Sequence, residues 1–143
     1  SIALVRAALD LGVNFLDTAA AYGTESVVGK AIKGRSRQSV VISTKSHINS
    51  LDGTSPMPAS AVIANLDASL RNLETDYVDV FHLHGLWPRF YDRAMAEIVP
   101  ALLREKEKGK LRHIAVSETG PRDPGHTARA SPGASYTTGS RTR

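Results

Sequence analysis

The sequence predicts an α/β fold built on a mainly parallel sheet, and two observations carry that reading. Helix-like and strand-like patterns alternate over residues 1–118, which argues for parallel strands joined by helical crossovers. Four strand-like runs also close on polar residues: Asp17 after VNFL, Lys45 after VVIST, His84 after VDVFHL and Ser117 after HIAV. A parallel sheet presents the carboxyl end of every strand to one face, so groups one β-α-β repeat apart gather into one site.

Each element has a local reason. Ile2, Val5, Ala8 and Leu9 recur at helical spacing, and Gly12 suits the left-handed position just past a helix end. A strand over Val13 to Asp17 follows. Thr24 is a plausible N-cap for a helix that buries Val27, Val28, Ala31 and Ile32 and stops at Gly34. The β-branched run Val40 to Lys45 reads as the second strand. A polar loop through Asp52, Gly53, Pro56 and Pro58, long enough to be functional, leads to a helix with Val62, Leu66, Leu70 and Leu73 on one face. Tyr77 to His84 is the third strand. Asp92 to Lys108 reads as a helix buried through Met95, Ile98 and Leu102, and Gly109 separates it from the strand Leu111 to Ser117.

From Thr119 to Arg143 there is no Val, Ile, Leu, Met, Phe or Trp. Such a segment cannot bury enough apolar surface to offset its ordering entropy, so disorder is expected there. The predicted division is a folded unit over 1–118 and a Gly/Pro/Ser/Arg-rich tail over 119–143.

Composition narrows the function classes. With 143 residues, 41% hydrophobic and 22% charged, the chain has the length and balance of one globular domain. It has no cysteine, which excludes disulfides, thiolate nucleophiles and zinc-thiolate sites. No run approaches the ~20 apolar residues that cross a bilayer, and the amino end lacks the basic and apolar regions of a secretory signal. A cytoplasmic protein without membrane contact is the expectation. Ser1 stands inside a helical pattern without an initiator Met, so an upstream piece is expected. The net charge of +4 belongs mostly to the tail: residues 1–118 hold 14 Lys+Arg against 13 Asp+Glu. A near-neutral body offers no phosphate-tracking surface, and nucleic acid is not an expected partner.

With Tyr22 just after Asp17, the strand ends supply a carboxylate, a phenol, an ammonium and an imidazole, all proton-transfer groups. Taken singly, each has a plainer reading: Asp17 caps a turn, Tyr22 is a half-buried loop aromatic, Lys45 is a solvated charge. At successive strand ends they suggest an enzyme. His82 and His84 share one side of their strand because side chains alternate, but no third ligand accompanies them and Asp79 falls on the opposite side. No metal is therefore expected, and His82 reads as structural. His47 could line the same mouth; a solvated loop histidine is the simpler reading. Ser117 has no G-x-S-x-G elbow, and no G-x-G-x-x-G or P-loop occurs, so neither nucleophilic hydrolysis nor Rossmann binding is indicated.

The segments FLDTAAAYG, ISTK, DVFHLHG and IAVSE, in this order, resemble the aldo-keto reductase family of nicotinamide-dependent oxidoreductases. The resemblance covers residues 1 to about 118. It implies a partial (β/α)8 TIM barrel with about four parallel strands, roughly the first half, whose open edges would invite self-association. It also implies a catalytic tetrad of Asp17, Tyr22, Lys45 and His84, with NADP or NAD as cofactor and a small carbonyl, alcohol or sugar as substrate. Hydride transfer to a carbonyl creates an alkoxide, to which a phenol such as Tyr22 can give a proton. A phenol with a reference pKa of ~10 is a reluctant acid; a neighbouring ammonium, Lys45, favours its ionised form, Asp17 balances the lysine, and His84 orients the substrate oxygen.

For the cofactor, the resemblance implies contacts from Asp17, Ser117 and Glu118. Ser117 would bond the carboxamide; Glu118, where the family often has asparagine, can accept from an amide but cannot donate while ionised. The elements that hold the adenosine and phosphates in the family are not in this chain. SETGPRDPGH and HLHG resemble the galactose and arabinose dehydrogenase-like branch. ASPGASYTTGSRTR resembles nothing in the family, and its composition is that expected of a frame change or misjoined exon. The competing expectation is an inactive fragment serving as a binding or assembly module, since the cofactor half is missing.

Overall fold

The computed structural model describes residues 1–50 and 54–117. Glu118, the predicted disordered tail 119–143, and Asp52 and Gly53 lie outside the described residues. The elements are α1 (Ile2–Asp10), β1 (Phe15–Asp17), α2 (Glu25–Ile32), β2 (Val41–His47), α3 (Ala59–Leu73), β3 (Val78–His84), α4 (Tyr91–Arg93), α5 (Val99–Glu107) and β4 (Leu111–Ser117). The four strands form one parallel sheet in the order β1-β2-β3-β4, each strand beside its sequence neighbour. This is the partial barrel that the alternation and the resemblance lead one to expect.

Period-two alternation splits the strands between two faces. Toward the helices, Ile42 of β2 and Phe81 and Leu83 of β3 pack against Val62, Leu66, Leu70 and Leu73 of α3 and Ile98 and Leu102 near α5. Burying a side chain of this size contributes about 1.5–3 kcal/mol. The other face carries Ser43, Lys45 and His47 on β2 and His82 and His84 on β3. Phe15 of β1 stays 53% exposed on this side.

The amino ends of the strands are tied by charge. Asp79, buried, accepts from Arg37 at 2.8 Å, from Arg112 at 2.8 Å and from the Ile42 N–H at 2.9 Å. Burial alone would raise its pKa, but the Ile42 N–H and the two guanidiniums outweigh it and hold the carboxyl below the usual value. Both guanidiniums also lie on the Tyr77 ring, 4.0 and 4.4 Å from its centroid.

Three local expectations need correction. The reading of Met95 as a core residue fails: Met95 is 41% exposed and Ala94 is buried instead. Residues Ala94–Ile98 are π-helical, yet buried Ala94, Ile98, Ala101 and Leu102 recur at i, i+4, i+7 and i+8, so the stripe runs through Ala94 and leaves Met95 beside it. Thr24 occupies the N-cap position of α2 without a side-chain cap bond; its hydroxyl pairs with that of Thr18 at 2.8 Å. His47 is the last residue of β2 rather than a loop residue. Among the described residues no helix is long and apolar enough to cross a membrane.

Candidate active site

β1 ends at Asp17, and the chain then makes a short 3-10 turn, Ala20–Tyr22, closed by Gly23 at φ 64°. A residue with a Cβ would be strained there, so Gly23 lets the turn set Tyr22 over the end of the sheet. Tyr22 is more than half exposed.

Lys45 comes up from β2 beside it. Its ammonium donates to Asp17 Oδ2 at 2.5 Å and to the Thr18 carbonyl at 3.0 Å, and Nζ stands 5.2 Å from the centre of the Tyr22 ring. The lysine is buried, and a buried ammonium persists only when it is paired and hydrogen-bonded. Asp17 and the Thr18 carbonyl meet that need.

His84 closes β3 in register with His47 of β2 and Ser117 of β4. Its ring meets Tyr22 edge-on, with centroids 6.3 Å apart, and lies stacked on His47 at 4.6 Å. Burial, then the neighbouring His47, Lys45 and His82, lower its pKa, and Asp17 opposes them only in part. Its buried Nδ1 has no hydrogen-bond partner. The neutral tautomer with the proton on Nε2 is therefore favoured, since a buried N–H without an acceptor costs more than a bare ring nitrogen.

The sheet thus brings Asp17, Tyr22, Lys45 and His84 together, as their positions at strand ends predict. Ser117 sits on the same edge, where its carbonyl accepts from the Gly85 N–H at 2.7 Å. Its hydroxyl can both donate and accept, the character a carboxamide requires. Glu118 is outside the described residues.

Two further participants had no such part in the sequence reading. Ser43 donates to Asp17 Oδ1 at 2.7 Å, and His82 Nε2 lies 3.0 Å from the same hydroxyl. Ser43 stands two residues before Lys45, and that spacing was the available sign that the two share a face. Burial, and then Lys45, lower the His82 pKa against opposing pulls from Asp17 and the Val116 backbone.

Comparison with known proteins places this arrangement in context. The profile of the Aldo/keto reductase family matches residues 1–126. The chain is 34% identical over 124 residues to L-galactose dehydrogenase of Arabidopsis thaliana, a match covering 82% of this chain and 38% of that protein. It is 39% identical over 119 residues to a methylglyoxal reductase of Salmonella typhi, covering 81% and 42%. Among solved structures, it resembles an aldo/keto reductase from Klebsiella pneumoniae in complex with NADP and acetate, with a TM-score of 0.67, 33% identity, and coverage of 85% of this chain and 40% of that one. The chain spans about two fifths of the length of these relatives.

Proposed function

Because the chain belongs to the aldo/keto reductase family, we propose that its folded unit, residues 1–118, carries the acid–base half of an NAD(P)H-dependent carbonyl reduction or of the reverse alcohol or sugar oxidation. The observation that supports this most directly is the placing of Lys45 Nζ between the Tyr22 ring, at 5.2 Å, and the Asp17 carboxylate, at 2.5 Å.

A reduced nicotinamide supplies the hydride when bound. Tyr22 gives its phenolic proton to the oxygen on which charge develops, and takes it back in the oxidative direction. Lys45 stabilises the phenolate left behind by its positive charge, while Asp17 keeps the ammonium in place and limits its desolvation cost. Neutral His84 donates from Nε2 and orients the substrate oxygen. Ser117 would hold the carboxamide, joined by Asp17 and by Glu118 as an acceptor only. The resemblance to L-galactose dehydrogenase supports a sugar or another small polar carbonyl or alcohol as substrate. The complex of the Klebsiella pneumoniae relative supports NADP, with NAD as the alternative, and the cytoplasm is the compartment this reading assigns.

The test is titration of the purified chain with NADPH and NADH, followed by nicotinamide fluorescence. Saturable micromolar binding supports the reading and leads to a carbonyl and sugar screen. No binding by a folded sample would sink it and favour the assembly-module alternative. One observation favours self-association in either case: Leu11, Val13 and Phe15 are exposed on and before the edge strand β1, which leaves an apolar margin beside unpaired strand backbone. Sedimentation at several concentrations would show whether the chain dimerises.

A further inference from the structure

We propose that Ser43 and His82 are positioning residues that lock the Asp17 carboxylate, and through it Lys45, in the geometry the acid–base site uses. The proposal rests on the functional reading of that site and extends it to two groups that bear on its carboxylate.

The direction of the hydrogen bonds follows from the donor inventory. An ionised carboxylate only accepts, so the Ser43 hydroxyl spends its single proton on Asp17 Oδ1, 2.7 Å away. The same oxygen lies 3.0 Å from His82 Nε2 and has only lone pairs left to offer. His82 must therefore carry its proton on Nε2 and donate. Its buried Nδ1 makes no hydrogen bond of full geometry, and the Val116 backbone is the least of the pulls on the ring, so the proton stays on Nε2. Ser43 is fully buried, so water does not compete for its hydroxyl.

The result is a chain of donors, His82 to Ser43 to Asp17, that meets the Lys45 ammonium from the other side of the carboxylate. With Oδ1 held by Ser43 and Oδ2 by Lys45, the carboxylate plane cannot rotate. Two of the three ammonium donors are spent on Asp17 and the Thr18 carbonyl, which fixes Nζ relative to the Tyr22 ring. Strand register assembles the group: Asp17 pairs with Ser43 across β1 and β2, and Lys45 with His82 across β2 and β3.

The test reads the relay without needing turnover. In the intact 143-residue chain, nitrogen NMR reports the His82 tautomer, and the exchange of the Lys45 ammonium protons with water reports how firmly Asp17 holds them. Ser43→Ala should speed that exchange about ten-fold, the loss expected for one hydrogen bond to a charged group, and His82→Phe, which removes a bond to a neutral hydroxyl, about three- to five-fold. His82→Gln, whose amide can donate from a similar place, should restore most of it, whereas a packing role would favour Phe over Gln. Circular dichroism confirms that the variants fold, and Ser43→Ala, which deletes one oxygen, keeps the question open to decision if His82→Phe does not. Exchange at the wild-type rate in all folded variants, a Gln variant as fast as Phe, or a wild-type His82 protonated on Nδ1 would overturn the proposal. An inactive chain that still shows slow exchange and rescue by Gln would refute the acid–base reading while upholding the relay.

Discussion

Lys45 Nζ and Asp17 Oδ2 are 2.5 Å apart, yet the two side chains differ in burial, at 9% and 47% exposure. Removing one partner is therefore not equivalent to removing the other. Asp17→Ala strands an ammonium in a buried position, while Lys45→Met leaves a carboxylate that water can reach and that Ser43 still bonds. Asp17→Ala should cost about 1–3 kcal/mol, and Lys45→Met less than about 1 kcal/mol because its residual charge is screened by solvent. Urea denaturation midpoints decide this, and the reverse order would mean that Lys45 is not held by the pair.

Tyr22 projects from a turn, more than half exposed, so deleting its hydroxyl disturbs little packing. Tyr22→Phe should lower turnover at least ~100-fold, the lower end for loss of a general acid, with cofactor affinity and unfolding midpoint unchanged. Steady-state kinetics beside fluorescence titration would check it; turnover equal to wild type removes Tyr22 from the role.

His82 and His84 both have pKa values lowered from 6.5, first by burial. For each, the unfolded chain binds a proton more readily than the folded one. Their effect fades above pH 6.5 as both states become neutral, and stability falls as pH drops through 6.5 toward the folded pKa. Asp79 and Glu105 start from 3.8 and 4.5 and act only in stronger acid. The thermal midpoint should therefore decline between pH 7 and pH 5, and the double variant His82→Gln with His84→Gln should flatten the slope. A wild-type midpoint constant over that range would contradict the burial assigned to both rings.

Much of this is legible in the amino-acid sequence. Gly12, Gly34 and Gly109, read as helix stops, all have positive φ, and the Val62, Leu66, Leu70 and Leu73 stripe is the buried face of α3. Strand ends point to Asp17, Lys45 and His84 because alternation and chain order suffice to place them on one edge. What was not legible depends on pairing between segments. Ser43 and His82 meet only through a register that neither strand specifies alone, and Asp79 gains its two arginines from β4 and from the turn before β2. Met95 is one position off the buried stripe: Ala94, a small residue with a weak apolar signal, holds the buried place four residues before Ile98.

Gly29 offers a test of how closely the outer layer is packed. It lies in the interior of α2, where alanine is normally worth up to about 1 kcal/mol in helix propensity. Here a Cβ would come within 2.5 Å of the Leu73 carbonyl oxygen and 2.7 Å of its carbon at the end of α3. Those are backbone atoms and cannot rotate away, so α2 and α3 would have to separate. Leu73 itself is fully buried in the core behind that contact, and its movement would open space around Phe81 and Leu66, with which it shares the hydrophobic cluster. The strain of overpacking, typically about 1–3 kcal/mol, should exceed the propensity gain and make Gly29→Ala destabilising by about 1–2 kcal/mol net. A denaturation midpoint at or above the wild-type value would show that the two helices do not approach so closely in solution.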